Sequence, residues 1–236
     1  MNCRACPRAK MTKIPTLTYD SELQCGPVRV ALVWGLGLPG CPRTATFPAY
    51  LSDLLAKVRS AGEKFWAPGR KQAVRAMLRF GSYKPSGRSK PSSEYLFAAA
   101  LAHEFPLVNP PVDVNNAVSL QWGFPASIFD LELCSPALLL RRGMAGESYV
   151  FNQSGQSIDL EDLICVCRAE SGVWVPFGNP VKDSVATKVK DSTRNVIAVI
   201  YAPAAEPITD LEGAAAHFAE LLAMECGASA GGWSLP

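Results

Sequence analysis

Apolar residues recur along this chain with two different periods, and the change from one to the other organises it. Residues 28–34 (Val-Arg-Val-Ala-Leu-Val-Trp) are dense in β-branched side chains and predict a strand. Leu51, Leu54, Leu55 and Val58 then fall at i, i+3, i+4 and i+7, an amphipathic helix with Pro48 beside its first turn. A second helix is expected over residues 69–80, with Val74, Met77 and Leu78 inward and Lys71, Arg75 and Arg79 four apart on the opposite side. Residues 84–91 read as a loop by their Pro, Gly and Ser content. Ser92 stands where it would cap a third helix running towards His103, and Asp113 where it would cap a fourth with Val114, Ala117, Val118 and Gln121 on one face.

From residue 137 the pattern shifts to short β-runs at 137–142, 148–151, 163–168 and 196–201, separated by turn residues such as Ser154-Gly155. Pro203 and Pro207 lead into a last helix striped by Leu211, Ala214, Ala215, Phe218, Leu221 and Leu222, with Asp210 expected to cap its start and Gly227 its end. Helices ahead of a run of strands predict α+β rather than alternating βαβ units. No internal repeat is visible.

Composition narrows the picture only a little. The 236 residues are 48% hydrophobic and 19% charged, globular material for one large or two small domains. A net charge of +2 does not declare a nucleic-acid partner, but its distribution says more. Between Glu63 and Glu94 there is no acidic residue, while Lys64, Arg70, Lys71, Arg75, Arg79, Lys84, Arg88 and Lys90 are basic, with Trp66, Phe80 and Tyr83 interleaved. Cations at fourfold spacing with nearby aromatics neutralise a phosphate backbone and stack exposed bases; a solvated helix face looks the same in sequence. Arg4, Arg8, Lys10 and Lys13 break up the start of the chain, so no secretory apolar segment is expected there. The apolar run at 31–38 is too short to cross a bilayer. A cytoplasmic protein with reduced thiols, and no membrane contact, is the expectation.

The residues that carry chemistry offer few alternatives. Gly35, Gly37 and Gly40 fit GxGxxG after a strand, but a pyrophosphate site needs a helix opening at the third glycine, and Pro39 and Pro42 oppose one. A turn or loop is the expectation. Cys3 and Cys6 form half of a zinc-site spacing without a second pair, so neither a metal nor a cofactor is expected. Cys165 and Cys167, on one side of a strand, read as small core residues. His103 and His217 are the two histidines, both on expected helices, and no Ser, His and Asp grouping or GxSxG elbow forms around either.

The most telling stretch is Val112-Asp-Val-Asn-Asn-Ala-Val-Ser-Leu, followed by Gly123-Phe-Pro-Ala-Ser-Ile-Phe-Asp130. It resembles the signature of the B3/B4 domain of the β-subunit of bacterial phenylalanyl-tRNA synthetase, where that domain removes a wrong amino acid from tRNA. Pro91-Ser-Ser-Glu-Tyr-Leu before it, and Leu140-Arg-Arg, Gly146-Glu147, Phe177-Gly178 and Asp191-Ser-Thr-Arg-Asn195 after it, resemble consecutive landmarks of free-standing B3/B4 proteins. The likeness spans residues 14–201. It implies an α+β fold with an antiparallel, barrel-like β core and helices packed outside. It also implies a flexible extension over 1–13, a B3/B4-like domain over 14–205, and a C-terminal helix and tail over 206–236.

By position, the resemblance makes Asn116, Ser127 and Gly178 the residues of an ester-hydrolysing site. Asp113, Asn115, Thr193, Asn195 and Val199 would line it. Asn116 would stand for the pocket asparagine, and Gly178 for the glycine that admits the substrate backbone. Hydrolysis in the family is attributed to a positioned water rather than a dedicated base, which suits a chain without a usable histidine. Two departures stand out: the synthetase carries histidine where this chain has Ser127, and a tyrosine-reading glutamate where it has Val199. A tyrosine hydroxyl buried against Val199 would lack its partner, at a cost on the order of 1–3 kcal/mol. Asp113, Asn115, Asn116 and Asp130 also suit helix caps and turns on physical grounds alone. Three functions therefore follow from the resemblance. One is a deacylase acting in trans on mischarged aminoacyl-tRNA, with Lys71, Arg75, Arg79, Lys84 and Arg88 on the tRNA; the others are a non-catalytic tRNA- or RNA-binding module and a binder of a free amino acid or small metabolite.

Overall fold

A computed structural model describes residues 13–236; all of the expected extension but Lys13, and with it Cys3 and Cys6, lies outside the described residues. The strands form two four-stranded sheets and a hairpin. They are β1 (Thr16–Tyr19), β2 (Val28–Leu36), β3 (Ala126–Asp130), β4 (Ala137–Arg142), β5 (Ser148–Val150), β6 (Ser157–Asp159), β7 (Ile164–Glu170), β8 (Val173–Gly178), β9 (Val196–Pro203) and β10 (Ala230–Ser234). One sheet has the order β10-β2-β9-β3 and is antiparallel throughout. The other runs β1-β4-β7-β8, with β1 parallel to β4 and the remaining pairs antiparallel. Strands β5 and β6 pair only with each other. The sheets stay open among the described residues, so the barrel-like core expected from the resemblance is corrected to two open sheets that share one core.

Each sheet buries apolar side chains in one shared core. All eight residues of β9 are buried, the pattern of a central strand covered on both faces. The helices are α1 (Ala49–Ala61), α2 (Arg70–Leu78), α3 (Ser92–Leu101), α4 (Pro110–Trp122) and α5 (Ile208–Cys226). Helix α5 presses its Leu211, Ala214, Phe218 and Leu222 stripe into the core that β2 and β9 supply. Helices α1, α3 and α4 make a satellite core from Leu51, Leu55, Val58, Leu96, Phe97 and Leu120. Cys165 and Cys167 are core residues, with Leu160, Leu163 and Val181 around them.

Helix starts are where the sequence misleads. Asp113 does not cap α4: Asn109 does, its side chain accepting from Val112 N–H, with Pro110 and Pro111 filling positions whose N–H groups need no helical partner. Gly123 ends the helix in the left-handed region at φ 72°, and a Cβ there would press on Trp66 and Arg70. The last helix begins after Pro207, so Asp210 lies in its first turn rather than at its cap, and pairs with Arg70 at 2.5 Å. Strand β10 then returns to pair with β2, so the C-terminal segment supplies the edge of the antiparallel sheet. Gly37 and Gly40 lie in a loop, the next helix starting only at Ala49. His103 is just past α3, exposed at φ 61°, instead of on a helix.

Candidate functional site

Strand β3 is the meeting place of the residues singled out by sequence. At its start, Asn115 on α4 donates from Nδ2 to the Ala126 carbonyl at 3.3 Å and to Asn116 Oδ1 at 3.3 Å. One residue on, Ser127 stands opposite Val199 in the sheet register. The Ser127 hydroxyl donates to Asp183 Oδ1 at 2.7 Å, with the Asn179 carbonyl 3.2 Å away as a second acceptor, and Tyr201 hydroxyl lies 3.3 Å from it. The Asn179 N–H also donates to Asp183 Oδ1, at 3.2 Å. Gly178 closes the group at the end of β8.

The interior of that group is filled. Ser127 and Val199 are fully buried, as is Tyr201 beside them. A Cβ at Gly178 would overlap the Phe129 ring, so this glycine is required by close packing of the protein on itself. Phe129 in turn meets Phe177 edge to face at 4.6 Å. Burial pushes the Asp183 carboxyl up to about 7, against the lowering effect of the hydrogen bonds from Ser127 and Asn179. A carboxyl that exchanges its proton near neutrality, on a serine hydroxyl, is the one group here with acid–base character. Asp183 carried no sequence signal: it is a single aspartate in a loop.

The remaining pocket-lining candidates are elsewhere on the scaffold. Asp113, buried in the first turn of α4, accepts from Val108 N–H at 2.7 Å and from the Thr44 hydroxyl, and burial raises its carboxyl. Thr193 donates to Asp130 at 2.6 Å, and Asn195 bonds Gly37 N–H and Glu132, ties that anchor the loop before β9 to the end of β3.

The basic run divides into two halves with different fates. On α2, Arg75 forms a two-pronged ion pair with the buried Glu94, at 2.6 and 2.5 Å, and Lys71 lies 3.8 Å from Glu63. Arg70 is buried, paired with Glu206 and Asp210, with its guanidinium over the Phe124 ring. Arg79 follows the helix and is exposed. Arg79, Lys84, Arg88 and Lys90 are all exposed and make no ion pair among the described residues, but of these four Arg79 does not line the cleft that the other three share. That cleft, of about 1260 Å³, lies between the 82–90 loop, α3 and the β5–β6 hairpin, with Lys182 on its rim. Glu94, Asp159 and Glu161 also reach it, and Glu94 is already neutralised by Arg75.

The three aromatics interleaved with the cations are occupied. Trp66 donates to the Leu120 carbonyl and packs on Phe97, Phe80 carries the Arg142 guanidinium at 3.7 Å, and the Tyr83 hydroxyl donates to the Ser89 carbonyl. The aromatic that lines the cleft with a free surface is Tyr95, 64% exposed on α3. Among the described residues no cluster of His, Cys, Asp and Glu is arranged to hold a metal, and no helix is long and apolar enough to cross a membrane.

Residues 80–212 match the family model of the B3/4 domain. No curated protein matches the chain. Among solved structures, an N-terminal fragment of the phenylalanyl-tRNA synthetase β-subunit from Pyrococcus horikoshii aligns with a TM-score of 0.47 and 12% identity, over 94% of this chain and 51% of that one. The chain thus spans about half the length of that fragment.

Proposed function

Because the chain belongs to the B3/4 domain family, we propose that it binds tRNA, with the cleft between the 82–90 loop and the β5–β6 hairpin as the contact surface. The observation that carries this is the contrast in ion pairing. The cations of α2 are committed to carboxylates of the protein, whereas Lys84, Arg88 and Lys90 stand free at a concave opening. Unpaired cations release counterions from a phosphate backbone at no cost to an internal salt bridge.

The test is the salt dependence of tRNA binding. Each phosphate contact adds about 0.7–0.9 to the slope of log affinity against log salt. The triple variant Lys84→Glu, Arg88→Glu, Lys90→Glu is expected to lower that slope by roughly 2–3, while Lys71→Glu leaves it nearly unchanged. An unaltered slope in the triple variant would remove the cleft from the interface.

One observation favours a second reading, hydrolysis of mischarged aminoacyl-tRNA: the Ser127–Asp183 hydrogen bond, with a carboxyl that changes charge near neutral pH. In that reading Asp183 accepts a proton from the attacking water and returns it to the ribose oxygen that leaves as the acyl C–O bond breaks, Asn116 orients the ester, and Ser127 holds the carboxylate. The packing of Phe129 against Gly178 requires the site to open first. Half-lives of a panel of mischarged tRNAs, with the unaltered protein and with Asp183→Asn, decide it; identical half-lives with and without the protein reject turnover.

A further inference from the structure

Strands β1 and β2 run close to each other without pairing. The Tyr19 hydroxyl accepts from Val30 N–H at 2.9 Å, so a tyrosine side chain separates strands that direct pairing would bring to about 4.8 Å. Between them lies a hollow of about 490 Å³, floored by the buried Leu17, Val28, Val30 and Leu211. Both walls are open strand edges. The Thr16 and Asp20 N–H groups donate to the Pro136 and Leu140 carbonyls, so the main chain of Leu17 and Tyr19 points away from β4. On β2, the Pro27 carbonyl accepts from Ala204 N–H and Val30 N–H points away from β9, so Val28 turns its main chain outward as well. Strand β10 covers β2 only from Leu32 onward. The outward N–H groups of Leu17 and Val28 therefore meet no acceptor among the described residues. An edge of this kind takes on a further strand unless it is blunted. The far edge of the same sheet, β8, carries Pro176 beside a register shift at Val166 and Cys167; β1 has neither proline nor charge. Arg29, exposed between the buried Val28 and Val30, also lines the hollow and makes no ion pair among the described residues.

We propose that the hollow takes an extended segment of a partner protein, which pairs as a strand between β1 and β2 and alternates apolar with acidic side chains. Main-chain hydrogen bonds to the two open edges hold it. Successive side chains of a strand point to opposite faces, so every second residue meets the apolar floor and those between come beside Arg29. The segment supplies the strand missing between the two sheets. None of the residues that line the hollow belongs to the cationic cleft, and segment binding is independent of tRNA binding.

Fluorescence anisotropy with three labelled peptides tests it: one alternating valine and glutamate, one with lysine in place of glutamate, and the glutamate peptide with its central valine replaced by proline. The glutamate peptide is expected to saturate the unaltered protein below about 1 mM. The lysine peptide should bind about 2- to 5-fold more weakly, and the proline peptide, short of a main-chain donor, about 5- to 10-fold more weakly. Arg29→Glu is expected to reverse the preference for glutamate over lysine, while Arg79→Glu, outside the hollow, leaves it as it was. Failure of the glutamate peptide to saturate overturns the proposal, as does equal binding of the proline peptide. A preference that Arg29→Glu leaves unmoved overturns it too. Self-association of the protein that the glutamate peptide competes away, followed by sedimentation, gives the hollow to a second copy of this chain and overturns the partner assignment.

Discussion

Asp183 makes the stability of this fold depend on pH in a calculable way. Its carboxyl is held near 7 by burial, whereas an unfolded chain releases the same proton near pH 3.9. Between those values the folded protein carries a proton that the unfolded chain has lost. Raising the pH therefore favours unfolding: the contribution is fully present below about 3.9 and is lost as the pH rises through about 7. Integrated from pH 5 to pH 8, one such group withdraws roughly 2.5 kcal/mol. Water at the half-buried carboxyl screens part of this, so a loss of about 1–2.5 kcal/mol is expected. Asp183→Asn keeps an acceptor oxygen for Ser127 and Asn179 but cannot ionise. Urea denaturation of both proteins at pH 5 and pH 8 gives a double difference in which every other titrating group, Asp113 included, cancels. The unaltered protein should lose more stability over that interval than Asp183→Asn does, by the stated amount. Parallel pH profiles would refute the burial argument for this carboxyl.

Two further outcomes follow from the packing. Arg75→Ala leaves Glu94 buried without its guanidinium and should destabilise the fold by about 3 kcal/mol in denaturant titration, with little change in the salt slope of RNA binding. Gly178→Ala forces a methyl onto Phe129 and should cost about 1–3 kcal/mol; combining it with Phe129→Leu should cost less than the sum of the two single changes, and strict additivity would show that the two positions do not compete for space.

What the sequence revealed and what it hid divide along the range of the interactions. The Leu51, Leu54, Leu55 and Val58 stripe and the apolar run of β9 depend on periodicity alone, and both are legible. At α4 the amino acids Asn and Asp both suit a cap, and the choice between Asn109 and Asp113 is made by the two prolines at the first helical positions, a local signal that outranks the aspartate. The open sheets could not be read from periodicity at all, because strand order is a long-range property. The cations at 71, 75 and 79 are legible as a face, but the carboxylate that neutralises Arg75 is Glu94, on the next helix.

The two halves of the proposed activity share one short turn. Asn179 Oδ1 accepts from Val181 N–H at 2.8 Å and Lys182 N–H at 2.9 Å, holding both at the cleft, while its carbonyl lies on the buried Ser127 hydroxyl. Its Nδ2 donates to the Tyr149 hydroxyl, which itself donates to the Lys182 carbonyl at 2.7 Å. The Asn179–Asp183 stretch is therefore fixed at one end to the cleft rim and at the other to the carboxyl that titrates near neutrality. Lys84, Arg88 and Lys90 belong to a different loop, so charge reversal there perturbs RNA contact without touching this turn. Changes at Asp183, by contrast, reach the cleft through the Val181 and Lys182 end of its own turn. That separation lets the proposed RNA binding be tested apart from the proposed turnover.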